Sequence, residues 1–166
     1  VLHRREVVER DVRELLGRDG ADAVRLTRPS VFGRWRFGDA AELNAELSAE
    51  RIEPRGTPSF ERWTYASWFT WWPGDTVRMD FSSSRASFDN LRSLRQGLTA
   101  VQNGVSVDFT PNERQRYHAK LERGIYSDGN RRWAAQASGE WRLRLKPEVW
   151  LGVRHARQDF ETQLDN

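Results

Sequence analysis

The chain has 166 residues, a net charge of +3, no cysteine and a mean hydropathy of −0.81. That length can bury a core as one domain, and the missing thiols exclude disulfide and thiolate chemistry within it. No apolar run approaches the ~18–20 residues of a membrane helix, so any crossing of a bilayer would be made by strands, and eight tryptophans in so polar a chain call for an interface.

The first element is predicted as a short amphipathic helix over Arg4–Arg18. Val8, Val12, Leu15 and Leu16 share one helical face, and Gly17 with Gly20 can stop it. We expect residues 1–20 to form a helical linker and residues 21–166 to form a sheet. From Val31 the period changes to two. Val31, Gly33, Trp35 and Phe37 alternate with Phe32, Arg34 and Arg36. Ala41 to Glu50 alternates without a break. Its Ala, Glu and Leu are good helix formers, but the unbroken alternation and strand-like neighbours favour a strand. Trp63, Tyr65, Phe69 and Trp71 share one face of the next run. Val77, Met79 and Phe81 oppose Arg78, Asp80 and Ser82 after it. Val101 to Phe109 and Tyr117 to Leu121 follow. Then Trp133, Ala135, Ala137, Gly139, Trp141, Leu143 and Leu145 face one way, with Ala134, Gln136, Ser138, Glu140, Arg142 and Arg144 facing the other. Val149, Leu151 and Val153 begin a last strand, with Arg154 opposed.

The punctuation between these runs has a rhythm. Tight turns are expected at Trp72-Pro73-Gly74-Asp75, Thr110-Pro111-Asn112-Glu113 and Lys146-Pro147-Glu148, at intervals of 38 and 36 residues between prolines. Longer polar loops, Glu53–Ser59, Ser84–Gly97 and Tyr126–Arg131, lie between them. About eight strands, several of 10–14 residues, exceed the soluble average of roughly 5–6 and match the ~9–11 that a tilted membrane strand needs. The expected fold is therefore all-β, an up-and-down antiparallel transmembrane β-barrel with short turns on the periplasmic side and long loops outside, preceded by the short helix.

The two faces suggest two environments. Trp35, Phe37, Trp71, Phe109, Trp141 and Trp150 lie near the short turns and are assigned to a periplasmic aromatic girdle. Trp133 lies eight residues before Trp141. At ~3.3 Å per residue and a tilt of ~40°, the pair spans roughly 20 Å, close to the height of an apolar band. The opposite face would line a lumen, with Arg34, Arg36, Glu46, Trp68, Arg78, Asp80, Arg116, His118, Glu140 and Arg142 as candidates for contacts to a polymer. Mixed charges and an aromatic suit many weak contacts to a hydrated sugar chain; the same charges can also satisfy one another across strands.

The run Asn90-Leu91-Arg92-Ser93-Leu94-Arg95-Gln96-Gly97-Leu98, followed by Tyr126-Ser127-Asp128-Gly129-Asn130-Arg131-Arg132, resembles the C-terminal barrel of the poly-β-1,6-N-acetylglucosamine export porin family. That family couples a periplasmic tetratricopeptide superhelix to an outer-membrane barrel, and the resemblance covers roughly Val31–Asn166. It implies a barrel larger than eight strands, and a junction with the superhelix at Arg4–Arg18. It also implies export of an exopolysaccharide across the bacterial outer membrane, with the lipid bilayer and a periplasmic polysaccharide-modifying enzyme or synthase complex as partners. Exporters of Pel- or cellulose-type polymers share this layout. The chain begins at Val1 rather than Met and ends at Asn166 just after a strand-like run, so we expect a piece of a larger protein.

No catalytic constellation is visible, so no enzyme is expected. His3, His118 and His155 are scattered outside any metal-ligand spacing, and no phosphate-binding loop or nucleophile elbow occurs. Glu46 with Glu50 reads as a polar wall rather than an acid/base pair. Ser127-Asp128-Gly129-Asn130 reads as a hairpin turn, with too few acids for a calcium loop. No cofactor, metal or nucleic acid is expected. The alternative is a soluble antiparallel β-sheet module using Trp and Arg to bind carbohydrate or single-stranded nucleic acid. Its aromatics would cluster mid-sheet beside arginine, and the runs place many near strand ends.

Overall fold

The computed structural model describes residues 5–15, 24–54, 56, 58–87 and 97–161. They form nine strands: β1 (Arg5–Leu15), β2 (Val24–Phe37), β3 (Ala41–Pro54), β4 (Phe60–Gly74), β5 (Val77–Ser87), β6 (Thr99–Asn112), β7 (Gln115–Tyr126), β8 (Arg131–Leu145) and β9 (Glu148–Glu161). All pair antiparallel with their sequence neighbours in one meander ordered β1 to β9, so β1 and β9 are the sheet's two edges. The alternating run over Ala41–Glu50 is a strand, as its period indicates.

One expectation is overturned. Arg5–Leu15 is a strand, paired along its whole length from Arg5↔Arg34 to Leu15↔Val24. Helix propensities differ by only tenths of a kcal/mol per residue, and Val7, Val8 and Val12 are β-branched. A full ladder against β2 outweighs so weak a local preference. The residues that flank this strand, Arg4 and Leu16 to Gly20, lie outside the described residues.

The short turns sit together at one end of the sheet: residues 38–40, 75–76, 113–114 and 146–147. Near each proline turn the ladder is interrupted, between Trp71 and Gly74, Phe109 and Asn112, and Arg142 and Arg144. Pro73 and Pro111 fall inside two of these interruptions, where a residue without an N–H costs no ladder bond. The freed backbone is used. Trp72 donates to the Ala40 carbonyl, Thr110 to that of Thr76 and Arg142 to that of Arg114, at 2.7, 2.7 and 2.8 Å. Each hairpin thus reaches past the turn before it. That repeated offset is the stagger of strands tilted against a barrel axis.

At the other end, Ser127–Asn130 turns a hairpin as its residues suggest. Gly129 takes φ +87°, Tyr126 donates to the Asn130 carbonyl at 2.9 Å, and Asp128 accepts from the Asn130 backbone at 3.1 Å. β5 continues to Ser87, so the loop expected from Ser84 starts later; residues 88–96, which carry most of the Asn90–Leu98 run, lie outside the described residues.

Most apolar side chains are not inside. Among the described residues the buried hydrophobics are Val24, Leu26, Ile52 and Ala100, all near the long-loop end, while Leu47, Trp63, Leu121, Leu143, Leu151 and Val153 are each more than half exposed. Register places these exposed residues on one face: Leu47 opposes Tyr65, Phe69 opposes Phe81, Phe81 opposes Val105, and Val105 opposes Leu121. A soluble sheet would cover such a face; a continuous apolar surface of this extent marks contact with another phase.

Two tryptophans on that face lie over glycines, where a missing side chain leaves room for the ring. Trp141 covers Gly139, meets Tyr117 edge-on at 5.9 Å and donates its indole N–H to the Tyr117 hydroxyl at 3.2 Å. A Cβ at Gly139 would stand 2.9 Å from the Trp141 ring. Gly139→Val should therefore drive Trp141 off Tyr117 and destabilise the sheet by about 1–3 kcal/mol. A lowered unfolding midpoint together with a changed tryptophan emission is the expected readout.

Candidate functional site

The face opposite the apolar one carries the charged and hydroxyl side chains from β2 to β9, with the small apolar cluster of Val24, Leu26, Ile52 and Phe60 at its long-loop end. Two rows of laterally adjacent residues define its centre. One runs Arg34, Asn44, Trp68, Ser82, Gly104, Glu122; the other runs Arg36, Glu42, Thr70, Asp80, Ser106, Lys120. From Asn44 and Glu42 onward, these rows shape an open groove of about 580 Å³ together with Arg78, Ser84 and Gln102. Trp68 projects into it, nearly half exposed. At Gly104 a Cβ would fall 2.8 Å from the Ser82 hydroxyl, so glycine keeps the groove floor low there.

Charges in the groove hold one another. Arg34 and Asn44 donate to Glu42 at 2.6 and 2.8 Å. Thr70 and Arg78 donate to Asp80 at 2.6 and 3.0 Å, and Lys120 pairs with Glu122 at 2.8 Å. His118 meets Asp108 at 2.8 Å, and Arg154 reaches Gln136 at 2.8 Å. The result is a mixed-sign wall in which many of the charges hold one another, a surface on which a polar chain makes many weak contacts.

All ten residues proposed from sequence for the polymer path lie on this one face. Arg34, Arg36, Trp68, Arg78 and Asp80 cluster along β2, β4 and β5. Glu46 is on β3, where it accepts from Ser48 at 3.1 Å. His118 sits opposite Ser138, and Arg116 opposite Glu140, nearer the short turns of β7 and β8, with Arg142 two residues on. Five of the girdle aromatics, Trp35, Phe37, Trp71, Phe109 and Trp141, and Trp133 at the far edge of the apolar band all lie on the opposite face by the same registers.

Trp150 is a correction. Nearness to a short turn assigns it to the periplasmic girdle, but pairing with Arg142 puts it on the polar face. There Arg116 and Arg142 lie over its ring at 4.5 and 5.5 Å, and its indole N–H donates to Glu148 at 2.7 Å. Distance from a turn sets height, not face; parity with Arg154 was the usable signal.

A second feature was read only as a polar wall. Glu50, fully buried, pairs with Arg28 at 2.6 Å and with Arg62 at 2.9 Å. Arg62 also donates to the Leu98 carbonyl at 3.2 Å. This triad ties β2, β3 and β4 to the start of β6 at the long-loop end of the polar face. Glu50 shares the parity of Glu42 and Glu46, which marks its face, but nothing local marks its burial.

The polar and apolar faces together describe strands with lipid on one side and water on the other. Comparison with known families agrees. Residues 19–159 match the model of the PgaA membrane β-barrel domain. No curated protein and no solved structure matches the chain. The chain belongs to the PgaA membrane β-barrel domain family, a family of outer-membrane barrels for polysaccharide export, and its place is the bacterial outer membrane.

Proposed function

We propose that the polar face is part of the path by which a poly-N-acetylglucosamine-type polysaccharide crosses the outer membrane, with Trp68 as a platform on which sugar rings stack. The observation that carries this reading is the groove itself: an exposed tryptophan among Asn44, Thr70, Ser82, Ser84, Gln102 and Ser106. An aromatic face covers the apolar C–H side of a pyranose, while hydroxyls and amides meet its polar edge. Contacts spread along the groove let a polymer enter and still leave. Transport on this reading is passive, catalysis has no part in it, and a synthase complex or polysaccharide-modifying enzyme on the periplasmic side delivers the chain.

The acids that line the groove, Glu42, Asp80 and Glu122, each already hold a cation. Few carboxylates are left for an ammonium group, which favours the neutral, acetylated form of the polymer over a deacetylated, cationic one. Trp68→Ala should lower surface-exposed polysaccharide roughly three- to tenfold at equal levels of assembled protein in the membrane. Unchanged export in that variant would remove Trp68 from the path.

A further inference from the structure

The four strands that leave a short turn and run toward the long loops, β3, β5, β7 and β9, each carry an arginine on the apolar face at a similar height. These are Arg51, Arg85, Arg123 and Arg157, eight to ten residues above the start of their strands, and all four are exposed. Below them the same face shows Leu43 to Leu47 on β3, Met79 and Phe81 on β5, Tyr117 to Leu121 on β7, and Leu151 and Val153 on β9. At ~3.3 Å per residue and a tilt of ~40°, eight to ten residues rise roughly 20–25 Å, the top of the apolar band. Arg123 confirms the level, because it is the lateral neighbour of Trp133 and its guanidinium stacks on that ring at 5.1 Å.

Two of these arginines are already held by acids. Arg51 pairs with Glu53 at 2.8 Å, and Arg157 with Asp159 at 2.9 Å. Arg85 and Arg123 have no carboxylate within ion-pair distance among the described residues. They flank β6 from either side. Arg85 is opposite Val101, Arg123 is opposite Asn103, and the Ser83 hydroxyl donates to the Asn103 side-chain carbonyl at 2.8 Å, which keeps the amide N–H groups of Asn103 as donors on the strand between the two arginines. Two strand spacings of ~4.8 Å and an offset of two residues along β6 place the arginines roughly 12 Å apart at the backbone, a span that two arginine side chains reaching toward each other can close on one anion.

We infer that Arg85, Asn103 and Arg123, walled by Trp133, form an outward-facing site for a phosphate group of a glycolipid in the outer leaflet. Guanidiniums facing lipid without an acid are costly unless an anionic headgroup meets them, and paired arginine forks with an amide donor suit a phosphate's oxygens. Arg85, Arg123 and Trp133 lie outside the groove, which Asn103 borders, and failure of this site would leave the reading of the polar face untouched.

The test titrates the intact protein, purified in detergent, with bisphosphorylated lipid A and with its dephosphorylated form, and counts retained lipid by native mass spectrometry. The wild type should retain the bisphosphorylated lipid, and R85Q/R123Q should retain it roughly tenfold less, with the dephosphorylated form bound equally weakly by both. R51Q, whose arginine is held by Glu53, should bind like the wild type. Should the double variant fail to assemble, R85Q and R123Q singly should each show a loss of about threefold. Retention unchanged by these substitutions, equal retention of the dephosphorylated lipid, or displacement by millimolar inorganic phosphate would overturn the assignment; the last outcome would mark a site for a free anion.

Discussion

Glu50→Ala should destabilise the folded sheet by about 3–5 kcal/mol, the range for removing one partner of a buried ion pair. Glu50 has no exposed side-chain surface and Arg62 only 8%, so the substitution strands a guanidinium where water barely reaches. Arg28, more exposed at 28%, can turn toward solvent and loses less. Because Arg62 also holds the Leu98 carbonyl, the backbone at the start of β6 should loosen with it. The expected signs are a lowered denaturant midpoint and new protease sensitivity near Gly97–Thr99. Replacing Glu50, Arg28 and Arg62 together by apolar residues of similar volume should cost far less than Glu50→Ala, since no charge is then left alone. If Glu50→Ala instead lies within about 1 kcal/mol of the wild type, the triad is a solvated surface pair.

Ala137→Arg should cost about 2–4 kcal/mol, while Ser138→Arg, one residue on, should cost well under 1 kcal/mol. Ala137 lies four residues from each of Trp133 and Trp141, beside Ala119 on the exposed apolar face. A guanidinium there meets hydrocarbon at mid-depth. Ser138 points into the polar face between His118 and Arg154, where charge is already accommodated. Assembly yield in outer membranes and the refolding midpoint in lipid vesicles should separate the two variants clearly. Equal tolerance would mean that both faces meet water.

The contrast between these neighbours was legible in the residues themselves. A period of two needs no tertiary information, because a strand's side chains alternate whatever surrounds it. The same rule placed Trp68 among the charges and Trp71 among the aromatics. The proline turns were legible for a similar reason: Pro73 and Pro111 cannot donate to a ladder, and they fall where the ladder is interrupted. What escaped was set by distant partners. Arg5–Leu15 carries a helical stripe of weak propensity, and only β2, some twenty residues on, makes it a strand. Glu50 looks like Glu46 in sequence, yet Arg28 and Arg62 arrive from two other strands to bury it. Trp150 sits at the height of the girdle, but its parity with Arg154 turns it to the polar face. The outward arginines went unremarked for the opposite reason: each strand contributes one, and their common level emerges only when the strands are set side by side.

The central claim is that one face of these strands meets lipid while the other lines a wet passage, and single cysteines at Ala137 and Ser138 test it most directly. The chain has no cysteine of its own, so each introduced thiol reports alone within it. In the intact protein in cells, a lipid-phase reagent should label position 137 and a water-soluble reagent position 138. Aqueous labelling of both positions, or protection of position 137 from both reagents in protein that stays soluble without detergent, would contradict the membrane barrel.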